Sequence, residues 1–430
     1  MESKYKIATL GLWHLGEIYS SCLADLGHQV IGISEDEKLI GNFSKNIPPL
    51  PEPDLENLLA RNQEAGRLKF STDFTEIRNC NVLWFTFDTP VDDSDEVNLS
   101  PIYDSLEKAI PNLVDGVLVV MTSQVPVGEG KKFQAFIKEK KPNLKFDYIY
   151  TPENLRLGAA VRCFMEPGRI IVGAETEDAK SKIAEVFSPL KTEIITMEIT
   201  SAEMAKHAIN SFLATSISFI NDIADACEVS GADILDVVRA LRSEPRIGPK
   251  AFLDAGLGFS GGTLGRDLKA LLKLTSLPVI ENVYKKNLSR NEKVISRLEN
   301  ELGGLNGKII TIFGLTYKPG TRTLRRSRAL EISKILKSKG AITKLHDPQA
   351  LETEARESDN SDFFRDLYGS AKSANAIVLI TPWPEFKEID FKKLAQTTQP
   401  GAVVFDTANF IYNKEEEITK AGFKYIGIGR

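Results

Sequence analysis

Short apolar runs recur along the first half of the chain and are separated by longer segments of helical composition. The runs occupy residues 5–12, 29–34, 82–87, 117–122, 146–153 and 169–175. Apolar runs of this length that alternate with helical segments are typical of βαβ units. The pattern predicts one α/β domain with a parallel sheet, which extends to about residue 198.

From Thr200 the pattern changes to a long helical stretch, in which apolar residues recur at three-to-four spacing without a proline or an internal glycine. Short apolar runs then return at residues 307–314, 341–347, 376–381 and 402–406. We therefore predict an α/β protein with two Rossmann-like, doubly wound parallel-sheet domains, joined by a central all-helical region with a long helix. The expected boundaries are 1–198, 199–300 and 301–430.

The amino-acid composition says more about the possible binding partners of the protein than about its fold. The 430 residues carry a net charge of -5, which disfavours a dominant nucleic-acid or anionic-membrane partner. The first residues lack the features of a signal peptide, and no apolar stretch approaches the roughly 20 residues that span a bilayer. The four cysteines are scattered without CxxC spacing, so neither a disulfide framework nor a metal site is indicated. We expect a cytoplasmic protein.

The first predicted βαβ unit carries a glycine turn of the dinucleotide-binding type. Gly11 and Gly16 hold the first and third positions of the GxGxxG pattern, whereas Trp13 holds the middle position. Ser34 ends the second strand, where an acidic residue usually holds the adenosine ribose. These residues predict a cofactor site. The alternative is a packing turn in which the indole crowds the path of the pyrophosphate.

Two polar phrases follow apolar runs and are therefore expected at the carboxyl ends of strands. One is FDTPVDD, with Thr89 and Pro90, and the other is TSQVPVG, with Ser123 and Gln124. Ligands of doubly wound sheets bind at these strand ends. Each phrase alone is typical of an ordinary turn, but the two occur together and in order, which favours a cofactor site that includes Thr89, Pro90 and Ser123.

Several long segments resemble the UDP-glucose/GDP-mannose dehydrogenase family over almost the whole length of the chain. They include PPLPEPDLENLL, TPENLRLGAAV, EMAKHAINSFLATSISFIND, RIGPKAFLDAGLGFSGG, FGLTYKPGTRTLRRSRALEI and YIGIGR. The resemblance implies an N-terminal NAD-binding domain, a central helical region for dimerisation and catalysis, and a C-terminal domain that binds the nucleotide sugar. It also implies oxidation of the sugar C6 alcohol, a homodimer and, at family level, a role in polysaccharide biosynthesis.

The resemblance assigns roles to four polar residues. Lys206 matches the active-site lysine, and Asn210 follows it at i+4 on the same helical face. An ammonium group at that place stabilises an oxyanion as charge develops. Glu153 matches the glutamate that assists hydrolysis of the acyl-enzyme, and Asp267 matches the aspartate that orders the catalytic water.

The cysteine on which the family's second oxidation depends is missing. The family phrase is of the type GFGGSCFPKD, whereas this chain reads GFSGGTLGRD. An ungapped match places Thr263 at the nucleophile position, and a match of the glycine pairs places Leu264 there. A threonine hydroxyl is a far weaker nucleophile than a thiolate. Cys163 is a conceivable substitute, although a small buried residue is its more common role.

Other departures from the family surround the cofactor. Asp88 stands where a glycine is usual and would place a negative charge near the diphosphate, and Gln124 replaces a threonine. Several residues are retained for ligands: Arg325 for the NAD phosphate, and Arg246, Phe259 and Lys318 for the substrate. The additional Arg322, Arg326 and Arg328 form either a phosphate grip or a solvated face.

Three hypotheses follow. The first is an NAD-dependent dehydrogenase that acts on a nucleotide sugar and stops at the aldehyde, or oxidises the aldehyde hydrate slowly. The second is a catalytically impaired family member that binds a sugar nucleotide or a partner. The third is a two-electron dehydrogenase of the 3-hydroxyacid type, which also uses a lysine and an asparagine at i+4 but has no need of a second α/β domain.

Overall fold

The computed structural model describes residues 5–89, 97–260 and 262–430. The chain divides into two compact units, of which the first ends at Ala208 and the second begins at Ile209. In the described part of the chain, no helix is both long enough and apolar enough to cross a membrane.

The first unit is built on an eight-stranded sheet in the order β3-β2-β1-β4-β5-β6-β7-β8. Its strands are β1 Lys6–Leu10, β2 Gln29–Ile33, β3 Leu68–Ser71, β4 Val82–Phe85, β5 Val117–Met121, β6 Phe146–Tyr150, β7 Ile170–Ala174 and β8 Ile194–Met197. Neighbouring strands run parallel except for β6 and β7, which pair antiparallel. The chain direction across the sheet reverses between β1 and β4, which is the point where such sheets bind ligands.

Helices cover this sheet and explain why its central strands are apolar on both faces. They are α1 His14–Asp25, α2 Glu37–Phe43, α3 Leu55–Glu64, α4 Ser100–Ala109, α5 Glu129–Lys140, α6 Ala160–Met165 and α7 Glu177–Phe187. Every residue of β4 and β5 is buried, as parallel sheets require. The buried Trp84 indole also donates a hydrogen bond of 2.7 Å to the Thr122 hydroxyl.

The long helix α8, Ile199–Ser230, contributes residues to both units. The other helices of the second unit are α9 Ile234–Ser243, α10 Thr263–Leu272, α11 Pro278–Leu302, α12 Arg328–Ser338, α13 Glu352–Asp359, α14 Leu367–Ser370, α15 Phe391–Ala395 and α16 Glu415–Lys420. The 32 residues of α8 match the long helical stretch that the sequence predicts.

The second unit contains a six-stranded parallel sheet in the order β11-β10-β9-β12-β13-β14. Its strands are β9 Ile309–Phe313, β10 Ile342–His346, β11 Asp362–Phe363, β12 Ala376–Leu379, β13 Val403–Asp406 and β14 Lys424–Gly427. Ile310 and Ile312 of β9 pack in one apolar cluster with Val294 and Leu298 of α11. The predicted fold class of two Rossmann-like sheets with a helical region between them is confirmed.

One glycine controls how closely α1 approaches β1. A Cβ atom on Gly16 would lie 2.1 Å from the carbonyl oxygen of Gly11. Because both atoms belong to the backbone or are attached directly to it, a side chain at this position forces the helix away from the strand.

We predict that Gly16→Ala lowers the free energy of unfolding by about 1–3 kcal/mol, the usual cost of overpacking. Denaturant titration measures the change. Gly41→Ala is the matched control, because Gly41 also lies in a helix but has open space around it. That control should stabilise the protein by about 0.5–1 kcal/mol through helix propensity. Equal stability changes in the two variants would contradict the packing argument.

Candidate active site

The turn between β1 and α1 requires glycine at its first position. Gly11 has a φ of +92°, in the left-handed region that residues with a side chain rarely adopt. A Cβ atom there would lie 2.7 Å from the backbone nitrogen of Phe87. The turn therefore brings the start of α1 directly against the residues that follow β4.

A cleft of about 450 Å³ opens beside this turn. Its walls include Gly11 and Trp13 from the turn, Ser34 and Glu35 from the end of β2, and Lys108 of α4. It lies at the carboxyl ends of the strands next to the reversal of strand order, where a doubly wound sheet binds its ligand. Trp13 is 53% exposed, so the indole stands on the wall of an open cleft and does not fill the turn.

Three polar residues follow β2, and each is already engaged. The Ser34 hydroxyl accepts a hydrogen bond from the Asp36 amide at 3.3 Å, and the Asp36 carboxylate caps α2 by accepting from the Leu39 amide at 3.0 Å. Glu35 forms an ion pair of 2.5 Å with Lys108. Sequence reasoning chose Ser34 alone. It missed Lys108 because this residue reaches the cleft from a helix far along the chain.

The Asp88 carboxylate lies at the first turn of α1. Its Oδ2 atom accepts a hydrogen bond of 3.1 Å from the backbone amide of Leu15. Asp88 is also close enough to Glu17 for the two acids to interact. Glu17 lies one turn into α1 and is fully buried. Burial, opposed by a hydrogen bond from the Leu50 amide and reinforced by the charges of Asp88 and Glu52, raises the pKa of Glu17 from 4.5 to about 9.

The other predicted cofactor residues lie on the loops after β4 and β5. The buried Thr89 hydroxyl donates to the carbonyl oxygen of Gln124 at 2.9 Å, which ties the two loops together. The Ser123 hydroxyl is buried, and no hydrogen-bond partner for it is found among the described residues. Pro90 lies outside the described residues.

The described residues fit a dinucleotide at three points and oppose it at one. The left-handed glycine turn, the open cleft at the strand reversal and the unsatisfied Ser123 hydroxyl suit the cofactor. The start of α1, where pyrophosphates bind in such folds, instead has the Asp88 carboxylate on the Leu15 amide.

In the first unit, Lys206 and Glu153 are held together. Lys206 is 5% exposed, and its Nζ atom donates to the carbonyl oxygen of Glu153 at 2.6 Å. The same ammonium group lies 3.4 Å from the Glu153 carboxylate, whose other oxygen accepts from the Leu155 amide at 2.6 Å. The Lys206 charge therefore has a fixed direction and a partner of opposite sign.

In the second unit, Asn210 and Asp267 form a buried pair. The Asn210 side-chain amide donates to the Asp267 carboxylate, which is 0% exposed. Thr263 begins α10 one turn before Asp267, and its side chain is exposed. Leu264 instead packs against the apolar cluster that contains Leu268.

The loop before α10 is held by Asn287, which the sequence analysis did not identify, and by Arg328, for which it predicted a phosphate grip or a solvated face. Asn287 bonds the Phe259 backbone twice, accepting from its amide at 2.8 Å and donating to its carbonyl oxygen at 3.0 Å. The Arg328 guanidinium donates to the same carbonyl oxygen at 2.8 Å and to the Asn287 carbonyl oxygen at 3.2 Å. Arg328 is therefore a buried clamp on this loop and not part of a solvated face.

The remaining predicted ligand residues are more exposed. Arg246 is exposed and pairs with Glu244 at 2.7 Å. Arg325 is exposed, and Lys318 is half-buried on the loop after β9. The described residues contain no group of three or more acids, histidines or cysteines that could hold a metal. Cys163 is free and half-buried on α6.

Sequence comparison finds one family along the chain. Models of the UDP-glucose/GDP-mannose dehydrogenase family match it in three places: the NAD binding domain at residues 5–191, the central domain at 200–291 and the UDP binding domain at 311–413. The first match contains the cleft and the Lys206 partner Glu153, the second contains the Asn210–Asp267 pair, and the third contains Lys318 and Arg325.

Individual proteins match over nearly their full length. The chain is 35% identical to the UDP-glucose 6-dehydrogenase of Rhizobium meliloti (strain 1021), covering 99% of each chain. It is 34% identical to UDP-glucose 6-dehydrogenase TuaD of Bacillus subtilis (strain 168), covering 99% of this chain and 93% of that one. The structure of a UDP-glucose dehydrogenase from Pyrobaculum islandicum superposes with a TM-score of 0.89 at 26% identity, covering 100% of this chain and 98% of the other.

The buried Glu17 predicts a pH-dependent stability. Because its pKa is raised from 4.5 to about 9, the folded protein binds a proton that the unfolded chain releases above pH 4.5. The stabilisation is complete below pH 4.5 and is lost as the pH rises towards 9, with a slope of at most ~1.4 kcal/mol per pH unit. Denaturant titrations between pH 5 and pH 9 should show Glu17→Gln flattening this slope. Glu37→Gln removes an exposed carboxylate and should leave the slope of stability against pH unchanged. A wild-type slope in Glu17→Gln would contradict the raised pKa of Glu17.

Proposed function

The chain belongs to the UDP-glucose/GDP-mannose dehydrogenase family, whose members are NAD-dependent oxidoreductases, and we propose that it oxidises the C6 alcohol of a UDP-sugar. The observation that carries this proposal is the pair of buried contacts between Lys206 and Glu153 and between Asn210 and Asp267. Buried polar side chains are costly unless they are satisfied. Buried polar pairs of this kind are therefore expected where a reaction needs charged groups in fixed positions.

Lys206 stabilises negative charge on the reacting oxygen. NAD, when bound, supplies the acceptor for the hydride that leaves C6. The carbonyl oxygen of Glu153 orients the Lys206 ammonium group at 2.6 Å, so the charge is in place before the alcohol oxygen becomes anionic. Preorganised charge of this kind lowers the barrier without reorganisation during the reaction.

Asp267 receives the alcohol proton, directly or through one water. Asn210 donates to one carboxylate oxygen, while Arg266 lies 3.8 Å from the other. These contacts fix the orientation of the carboxylate, which a general base requires. The hydride and the proton together account for the two electrons and two protons that convert the alcohol to an aldehyde.

The proposed reaction ends at the aldehyde, or continues only slowly through the aldehyde hydrate. The proposal takes Thr263 as the nucleophile position, because Thr263 lies at i−4 from Asp267 on α10 whereas Leu264 packs in an apolar cluster. The Thr263 hydroxyl has a far higher pKa than a thiol and is a poor nucleophile without a dedicated base. No thioester is formed, and the family's second reduced cofactor is not produced at a useful rate.

Product stoichiometry tests the proposal. With NAD and limiting UDP-glucose or UDP-N-acetylmannosamine, we expect about one NADH per sugar from absorbance at 340 nm, because a hydroxyl replaces the thiolate. Thr263→Cys should raise the yield towards two, since a thiolate at a helix start is activated. Leu264→Cys is the matched control and should not, because this position packs in an apolar cluster.

The other yields decide between the remaining hypotheses. Two NADH per sugar in the wild type would contradict the truncated reaction and direct attention to Cys163. Sugar-nucleotide binding without NADH would contradict catalysis and favour the impaired, binding-only hypothesis. The 3-hydroxyacid hypothesis loses its support with the family assignment, since residues 311–413 match a UDP binding domain.

The proposal includes a three-part chain and a homodimer. Residues 1–198 bind NAD, residues 199–300 supply helices for pairing and catalysis, and residues 301–430 bind the nucleotide sugar. Phe212 and Phe219 support the dimer, because they are 72% and 47% exposed. They lie two helical turns apart on the same face of α8.

Light scattering after size exclusion measures the proposed dimer. Phe212→Glu should shift the protein towards monomers, because a charge replaces an apolar contact at the pairing face. Val229→Glu is the control, since Val229 is 89% exposed on a different face of the same helix. A monomeric wild type, or equal effects of the two variants, would contradict pairing through this face.

A further inference from the structure

The first turn of α1 receives its capping group from a distant residue. Trp13, the N-cap residue, makes no side-chain hydrogen bond to the helix. The Asp88 carboxylate, which follows β4, accepts from the Leu15 amide instead. Carboxylates are favoured at helix starts because the first amide groups are unpaired and the helix dipole is positive there.

The same amide groups bind the pyrophosphate in dinucleotide-binding folds. Asp88 lies on the wall of the cleft beside Gly11 and Trp13. A pyrophosphate that approached the start of α1 would be repelled by the Asp88 carboxylate. It would also find the Leu15 amide already occupied by that carboxylate. Two anions do not share one amide, so cofactor and side chain compete for it.

Two charged or ionisable groups of the described residues bear on this competition. Glu17 interacts electrostatically with Asp88, but its raised pKa keeps it protonated near neutral pH, so it adds no negative charge there. Lys108 is a cation of the same cleft, but it is paired with Glu35 at 2.5 Å. Asp88 itself is exposed, so its side chain has solvent into which it can rotate when the amide is taken by another anion.

We propose that Asp88 is an affinity-setting residue, an internal anion that occupies the pyrophosphate's place on α1 until a dinucleotide displaces it. The proposal rests on the proposed function, because it concerns the cofactor of the same reaction. According to this proposal, the Asp88 carboxylate lowers the affinity of the cleft for every ligand that carries a diphosphate. A ligand that carries only the adenosine half escapes this effect.

Calorimetric titration of the full chain with ADP-ribose and with adenosine tests this inference. Asp88→Asn and Asp88→Gly should each lower the Kd for ADP-ribose by about ten-fold or more, as expected when a competing charge leaves the anion site. Their affinity for adenosine should not change. Asp104→Asn removes another carboxylate from the same cleft wall and should affect the two ligands alike. Thermal unfolding of each variant checks that the fold is retained.

Two results would overturn the inference. One is an unchanged or weaker affinity for ADP-ribose in both Asp88 variants, including the case in which neither variant binds it. The other is an equal gain for ADP-ribose in Asp104→Asn, which would show a general field effect. Tighter ADP-ribose binding in a chain that forms no NADH from UDP-sugars would remove the proposed function and keep this inference.

Discussion

The close contact between α1 and β1 is the constraint on which both the first sheet and its cleft depend. Gly16 faces the Gly11 carbonyl oxygen with no room for a side chain, and Gly11 adopts a left-handed conformation against Phe87. This contact places the first amide groups of α1 at the ends of the strands. The same contact brings these amide groups within hydrogen-bonding distance of an anionic side chain on the loop after β4, here Asp88. One packing requirement therefore determines the position of the helix and the charge distribution of the cofactor cleft.

The proposed catalytic residues share a second feature, which is that a neighbouring residue orients each reactive side chain. Lys206 is oriented by Glu153, and Asp267 is oriented by Asn210. A buried ammonium or carboxylate without such a partner would lose much of its charge-stabilising value to desolvation. Substitution of Asn210 removes a donor from the buried Asp267 carboxylate, whereas substitution of Glu153 leaves in place the backbone carbonyl that accepts from Lys206.

The sequence predicts the buried strands of both sheets and misses the edges. Ten predicted apolar runs correspond to strands of the structure, whereas β3, β8, β11 and β14 are absent from the prediction. Each missed strand lies at an edge of its sheet. An edge strand is short and covered on fewer sides, so it needs no continuous apolar run. Strand β3 illustrates this, because only Leu68 of its four residues is buried.

Helical spacing alone pairs only site residues that share an element, and the roles of Glu153 and Asp267 come from the family resemblance. Lys206 and Asn210 stand one turn apart on α8, so helical spacing pairs them with the same face. Arg328, Asn287 and Lys108 act through contacts with residues distant in sequence. No spacing rule links such positions. The sequence does suggest that Asp88 is unusual, but only the fold shows that its carboxylate reaches the Leu15 amide.

Helix register also favours one of the two positions that alignment leaves open for the missing cysteine. Thr263 and Asp267 are one turn apart on α10, and so are Leu264 and Leu268. Leu268 is fully buried in an apolar cluster and Leu264 packs against it, which assigns position 264 to the core. Position 263 lies at i−4 and position 264 at i−3 from Asp267, so helical spacing brings both near that residue, and the apolar packing of Leu264 is what separates them. We therefore favour Thr263 as the position of the missing thiol; its hydroxyl keeps the polarity of the position and lacks the thiol chemistry.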